Sequence, residues 1–301
     1  MKKIITAIIG YGNIGRSVLE AIQAAEDMEL SGIVIRDKST AAAKGIPPQL
    51  TVVEDIVHLP VKPDVAFLCL PSRTVPAMAT AILGQGINTV DSYDIHSTIH
   101  ELNQQLAPIA QKNNAVAIIA AGWDPGTDSI VRCMLEAAAP KGLTYTNFGP
   151  GMSMGHTVAV KAIDGVHNAL SVTIPKGTGL HRRMVYIELA PGAVEAEVAA
   201  AIKADPYFVN DETYVTVVDS VDQLKDMGHG VDMVRKGVSG TTDNQLFNFT
   251  MTVNNPALTA QIMVSSGRAT TRQAPGSYTM IEIPLIDLLP GEREGIIRRM
   301  V

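Results

Sequence analysis

Ile4 to Ile9 is an unbroken apolar run of strand length, and it stops at Gly10-Tyr11-Gly12-Asn13-Ile14-Gly15, just before a stretch of helical spacing begins at Arg16. Few local patterns restrict a fold as tightly. A strand that is apolar on both faces belongs in a parallel sheet covered on both sides, whereas a half-exposed antiparallel strand alternates. A GxGxxG between such a strand and a helix permits a tight turn at Gly10, close backbone approach of a ligand at Gly12 and close helix–strand packing at Gly15. The helix start adds unpaired N–H groups and the positive end of a dipole, which suit the pyrophosphate of a dinucleotide. Outside this context the same six residues would be no more than a glycine-rich turn.

The alternation continues along the chain. Helical spacing runs from Arg16 to Ala25 through Val18 and Ile22, and Leu30 to Ile35 is a second buried strand. Asp64 to Leu70, Asn88 to Val90 and Val116 to Ala121 extend the series, with helices expected at Pro76 to Leu83 and Ile99 to Asn113 between them. Strand–helix alternation of this kind predicts an α/β unit with a Rossmann-type doubly wound parallel sheet. After residue 123 the texture changes. Asp128 to Ala139 still reads as a helix, but the later strands alternate. Phe247, Phe249, Met251 and Val253 face one way, Asn248, Thr250 and Thr252 the other, and Met184 to Leu189 behaves similarly. One buried and one wet face predict a second, α+β domain. Pro256 to Arg272 reads as a helix returning to the first domain and Gly291 to Met300 as a closing helix. The expected organisation is a dinucleotide-binding domain at 1–122, completed by 256–301, and a substrate-binding and oligomerisation domain at 123–255. A chain of 301 residues is long enough for two cores.

Composition removes several classes of function. Hydrophobic residues at 46% and charged residues at 18% exclude disorder over most of the length. The net charge of −6, with no Lys/Arg-rich block, argues against a nucleic-acid partner. Cys69 and Cys133 belong to no CxxC or Cys/His cluster, so neither a disulfide framework nor a metal site is expected, and the usage suits a reducing cytoplasm. Lys2 and Lys3 before the first apolar run imitate the start of a signal peptide, but that run ends too early at Gly10. The longest apolar stretch, Ala115 to Trp123, is nine residues and far short of a bilayer span.

Polar residues at the C-terminal ends of the strands carry the chemistry, because open α/β sheets bind ligands there. The second strand ends Ile35-Arg36-Asp37. An acid at this point usually holds the ribose hydroxyl of NAD, and an arginine suits the 2′-phosphate of NADP. Arg36, with Ser72 and Arg73 beyond Cys69-Leu70-Pro71, favours NADP over NAD; the charge of Asp37 would oppose the phosphate unless it is turned away. Two further strand ends deliver Asp91-Ser92-Tyr93-Asp94 and Ala121-Gly122-Trp123-Asp124-Pro125-Gly126. Carboxylates near a nicotinamide suit a substrate ammonium or the removal of its proton, although Asp91 and Asp124 are also residue types that cap helices. The segment from Phe148 to His156 is glycine-rich and nearly apolar, as in a loop that exposes N–H groups and walls a pocket. His156 alone reads as a hydrogen-bonded structural histidine. Periodicity does not group Thr173, Arg183, His229 and Asn255, and by residue type they read as solvated surface positions.

These residues resemble a known family. GYGNIGRSV at 10–18, VDSYDIH at 90–96, AGWDPGTDSI at 121–130, FGPGMSMGH at 148–156 and NNPALTAQ at 254–261 together resemble meso-diaminopimelate dehydrogenases over nearly the whole chain. The resemblance implies reversible NADP-dependent oxidative deamination at the D-centre of meso-2,6-diaminoheptanedioate, giving L-2-amino-6-oxoheptanedioate and ammonia, in a cytoplasmic homo-oligomer serving lysine and cell-wall precursor synthesis. It implies NADP contacts from Tyr11 to Ile14, Arg36 and its neighbours, Cys69 to Ser72, Ser92 to Asp94, Ala121 to Pro125, and Asn255. It further implies that Asp94 and Asp124 hold the reacting amino end, with Trp123, Phe148, Met154 and Gly155 around it. Thr173, Arg183 and His229 would hold the distal L-end, and Asn255 would reach both cofactor and substrate. Other readings of the residues are a different NAD(P)-dependent amino-acid dehydrogenase, a dihydrodipicolinate-reductase-like enzyme, or a dinucleotide sensor without turnover.

Overall fold

The computed structural model describes residues 3–224 and 228–301, so Lys2 of the leader-like start lies outside the described residues. The first stretch of chain runs β1 (Ile4–Ile9), α1 (Asn13–Gln23), β2 (Met28–Val34), β3 (Val52–Val53), β4 (Val65–Leu68), α2 (Val75–Leu83), β5 (Asn88–Asp91), α3 (Ile99–Lys112), β6 (Val116–Ile119) and α4 (Thr127–Ala138). The middle stretch follows with β7 (Lys141–Phe148), β8 (Gly151–Met152), α5 (Met154–Lys161), β9 (Val166–Gly177), β10 (Leu180–Leu189), α6 (Glu195–Ala204), β11 (Glu212–Val217), β12 (His229–Ser239) and β13 (Thr242–Val253). The chain ends with α7 (Asn255–Thr270), β14 (Gly276–Thr279) and α8 (Arg293–Met300). It divides into two compact units, one of residues 1–131 with 256–301 and one of residues 132–255, and the division falls inside α4.

The first unit holds a seven-stranded, all-parallel sheet of order β14-β6-β5-β4-β1-β2-β3. Successive residues of its strands feed two separate cores, as a sheet covered on both faces requires. Ile8, Phe67, Val90 and Ile118 pack with Val18 and Ile22 of α1 and with Ala260, Met263 and Val264 of α7. Their neighbours Ala7, Ile9, Ala66, Leu68, Ala117 and Ile119 pack with Ala79 and Ile82 of α2 and with Leu102 and Leu106 of α3. Arg268 of α7 donates to both Asp27 oxygens at 2.6 and 2.8 Å, fastening the C-terminal segment to the α1–β2 turn. This Rossmann-type unit is the expected α/β architecture. Two strands escape the sequence pattern, because β3 has only two residues and β14 reads Gly-Ser-Tyr-Thr.

Helix α1 begins at Asn13 rather than Arg16, with Gly12 as its N-cap. Gly10 sits at φ +90, a conformation that side chains disfavour, and a Cβ there would lie 2.5 Å from the Cys69 carbonyl oxygen. A Cβ on Gly15 would lie 2.5 Å from the Gly10 carbonyl oxygen. Gly15→Ala is therefore expected to force helix and strand apart, lowering stability by about 1–3 kcal/mol and weakening cofactor binding. Thermal unfolding together with a cofactor titration checks this, and an unchanged midpoint with unchanged affinity would contradict it.

The second unit contains two sheets. One has the order β11-β10-β9-β8, and the other is the antiparallel trio β13-β12-β7. Its α+β core is formed by Ala159 and Val160 of α5 and Val198 and Ile202 of α6 against Ala169, Val185 and Ile187 of β9 and β10. The predicted alternation in β13 is present: Phe247, Phe249, Met251 and Val253 are half-buried and Asn248, Thr250 and Thr252 exposed.

Candidate active site

In a parallel sheet all C-terminal strand ends lie along one edge, and the polar residues of the first unit gather there. The Gly10–Gly15 turn follows β1, Ile35 to Asp37 follow β2, Cys69 to Arg73 follow β4, Ser92 to Asp94 follow β5 and Ala121 to Pro125 follow β6. A dinucleotide fits this edge. A Cβ at Gly12 would meet nothing within 4 Å, so backbone and open space meet there, and no side chain caps the first turn of α1. Arg36 is exposed just past the end of β2, while Ile35 is core. Asp37 accepts hydrogen bonds from the Ser39 amide at 2.9 Å and the Ser39 hydroxyl at 2.6 Å, capping a short 3-10 turn. Those bonds hold its carboxyl below the usual range and direct it to its own backbone.

Asp94 is held by Ser72, whose hydroxyl donates to Asp94 Oδ1 at 2.6 Å and accepts from the Asp94 amide at 3.3 Å. Two strand ends, of β4 and β5, are thereby joined. His96 on the same loop brings Nε2 to 4.0 Å from Asp124 Oδ1, so the β5 and β6 ends meet as well. The rings of Tyr93 and Tyr11 and the Trp123 side chain are buried, which leaves mainly the backbone of these residues to face a ligand. Asp91 is not a helix cap, since it is fully buried and accepts from the Tyr93 amide at 3.0 Å and the Ala120 amide at 3.1 Å.

The second unit corrects two expectations. The Phe148–His156 segment is not an open array of N–H donors. Its Gly149, Met152 and Ser153 amides are committed to the carbonyls of Gly230, Gly228 and Ser171 at 2.8, 3.1 and 2.9 Å, and the Phe148 amide donates to His181 Nε2 at 2.7 Å. Residues 151–152 form a strand against β9, and Met154 and Gly155 open α5 after Ser153. As expected, His156 is structural, 2.7 Å from the Ser153 hydroxyl and edge-on to Tyr207 and Phe208.

Nor are Thr173, Arg183 and His229 solvated. Thr173 is fully buried, His229 is 6% exposed, and the Arg183 side chain is 11% exposed. The antiparallel register of β9 and β10 places Thr173 directly opposite Arg183, a relation that linear spacing does not reveal. Arg183 Nη1 donates to the Thr173 hydroxyl, and Nε donates to Asp211 Oδ2 at 2.6 Å. Burial, then the Arg183 charge and His181, push His229 down to about 4, so it is a neutral imidazole at pH 7. Burial and Arg183 lower His181 as well, and its bond from the Phe148 amide assigns the ring proton to Nδ1. His181 and Asp211 were not singled out in the sequence. The usable signal was their place on and beside the Arg183 strand, since His181 and Arg183 share one face at a spacing of two. Asn255 opens α7 at the last residue of the second unit. No group of His, Cys, Asp and Glu suited to a metal occurs among the described residues, and no helix among them is long and apolar enough to cross a membrane.

Comparison with known proteins matches this layout. Residues 4–120 match a family described as "Oxidoreductase family, NAD-binding Rossmann fold", and residues 122–255 match "Diaminopimelic acid dehydrogenase C-terminal domain". The sequence is 63% identical over 304 residues to a meso-diaminopimelate D-dehydrogenase of Bacteroides fragilis, with 100% of each chain covered. The structure is similar to that of Corynebacterium glutamicum DAP dehydrogenase in complex with DAP, with a TM-score of 0.90, 30% identity and 100% of both chains covered. It is also similar to an engineered D-amino acid dehydrogenase bound to NADP+, with a TM-score of 0.88, 28% identity and the same coverage.

Proposed function

The chain belongs to the meso-diaminopimelate D-dehydrogenase family, and from that premise we propose how its residues divide the work. The reaction is oxidative deamination of meso-2,6-diaminoheptanedioate at its D-centre to L-2-amino-6-oxoheptanedioate and ammonia, which places the enzyme in lysine biosynthesis. The bound nicotinamide dinucleotide supplies the hydride acceptor. Asp94 and Asp124 receive the reacting ammonium and take its proton, so that the amine nitrogen presents its lone pair as the C–H bond breaks. The family resemblance assigns contacts with that end to Trp123, Phe148, Met154 and Gly155. The Arg183 fork, with the Thr173 hydroxyl and the neutral His229 ring, holds the amino-acid group at the L-centre, and this remote anchoring orients the D-centre hydrogen. The observation that carries the assignment is the Thr173–Arg183–Asp211 chain, in which those two side chains fix the orientation of a largely buried guanidinium. Conversion of meso-diaminopimelate with release of ammonia tests it.

The cofactor is NADP in preference to NAD. Asp37 is engaged with Ser39, which removes the main objection, and Arg36 is exposed where the 2′-phosphate would lie. A charge-assisted contact is worth about 1.5–3 kcal/mol, so Arg36→Ala is expected to weaken NADP by roughly 10- to 150-fold while NAD is nearly unchanged. Equal losses for both cofactors in a binding titration would sink the assignment. The working form is a cytoplasmic homo-oligomer with residues 123–255 carrying substrate and subunit contacts, and light scattering of the purified protein tests the subunit count.

A further inference from the structure

We propose that Asp91 is a positioning residue for the reaction: its buried carboxylate fastens the turn that carries Asp94 to the turn that carries Asp124. The proposal rests on the reading that those two carboxylates serve the ammonium. Asp91 is the last residue of β5 and is fully buried. One oxygen, Oδ1, accepts the Tyr93 amide at 3.0 Å and the Ala120 amide at 3.1 Å. Its main-chain carbonyl accepts the Ala121 amide at 2.7 Å. The first bond closes the turn leading to Asp94, and the other two seize β6 where the chain leaves the sheet toward Asp124.

That departure needs a fastening. Ala120 sits at φ 54, a left-handed conformation that costs a residue with a Cβ about 1–3 kcal/mol and persists only where its surroundings fix it. A carboxyl is an expensive fastening for a mere turn. The second oxygen, Oδ2, has no hydrogen-bond partner among the described residues, and burial pushes the group up to about 6. A buried polar atom left unsatisfied calls for a reason. Here the reason is geometric: one oxygen must reach two amides on two strand ends at once. The joined ends then stand close enough for His96 Nε2 to lie 4.0 Å from Asp124 Oδ1. Rates are sensitive to such spacing, since a misplacement of about 1 Å can cost roughly 100-fold.

Steady-state kinetics with meso-diaminopimelate, beside an NADP-binding titration, test the bracket. Asp91→Ala is expected to lower kcat by about 10- to 100-fold, a larger loss than any accompanying loss of NADP affinity, since the two turns also border the cofactor. Asp91→Asn keeps an acceptor at the Oδ1 position and is expected to restore most of that loss. The double variant with Asp124→Asn is expected to lose less than the sum of the two single losses, because Asp91 acts in part through that turn. A folded Asp91→Ala enzyme with normal kcat, an Asn variant as poor as Ala, or additive losses in the double variant would overturn the proposal. If the Ala variant does not fold, Asp91→Glu replaces it: the charge is kept and the oxygens are displaced, so the same loss is expected and normal turnover overturns the bracket. Normal turnover in both Asp94→Asn and Asp124→Asn would instead remove the site reading beneath it. Inactive Asp94→Asn and Asp124→Asn beside a fully active Asp91→Ala would remove the bracket alone.

Discussion

Replacing the carboxylates by their amides, in Asp94→Asn and Asp124→Asn, is expected to cost the more affected variant about 100- to 10,000-fold in turnover, the range that a positioned proton acceptor contributes. NADP affinity should be nearly unchanged in both. The reasoning is geometric and electrostatic. Asp94 is already oriented by the Ser72 hydroxyl at 2.6 Å, and an amide oxygen keeps that bond, so the substitution removes charge and basicity while leaving the loop in place. Asp124 is part-buried with His96 Nε2 4.0 Å from its Oδ1, and the amide keeps its size while removing the charge that a cation would meet. Neither variant should lose heat stability. Pre-steady-state measurement of the hydride step separates a chemical defect from slow product release. Normal turnover in both variants would return these residues to a structural role.

Arg183→Met is expected to lower kcat/KM for meso-diaminopimelate by roughly 10- to 150-fold, the equivalent of one charged hydrogen bond at about 1.5–3 kcal/mol. Arginine is suited to the distal carboxylate because its planar fork presents paired donors that lysine lacks. In this chain Asp211 takes Nε and Thr173 takes one Nη1 hydrogen. The guanidinium plane is thus fixed, and the second Nη1 hydrogen and the two on Nη2 are those proposed to grip a carboxylate. A monocarboxylic D-amino acid has no group for this fork, so its slow oxidation should be unchanged or improved by the same substitution. Parallel losses on both substrates would mean that Arg183 supports the fold or the cofactor, and the clamp would be wrong.

How much of this was legible in the residues follows from the range of the interactions concerned. The Rossmann-type sheet was readable because β1, β2, β4 and β6 carry apolar runs and each is followed by a helix or a turn of recognisable chemistry. Helix ends shifted by a few residues, as they do where the cap is a glycine without a side chain. Strand β14 was invisible, since Gly276–Thr279 owes its conformation to the backbone of β6. The carboxylates were legible as strand-end residues, and Asp37 could be suspected but its orientation toward Ser39 could not. Arg183 looked like surface because its partners are remote in sequence. Thr173 comes from the preceding strand of a hairpin, and Asp211 stands just before a strand that joins β10 in parallel. Asp91 is legible as a strand-end carboxylate of a type that also caps helices, but not as a bracket, because its second amide, from Ala120, lies 29 residues away.

One reaction separates a meso-diaminopimelate dehydrogenase from every other reading of these residues. Purified protein is incubated with NADP and, separately, with the meso, LL and DD isomers of diaminopimelate, following NADPH absorbance and free ammonia together. On the proposed assignment the D-centre reacts at the nicotinamide and Arg183 holds the L-centre, so only the meso isomer offers both ends correctly. Stoichiometric NADPH and ammonia from the meso isomer, with none from LL and little from DD, is the predicted result. Tight NADP binding without turnover of the meso isomer, or equal turnover of all three isomers, would contradict it.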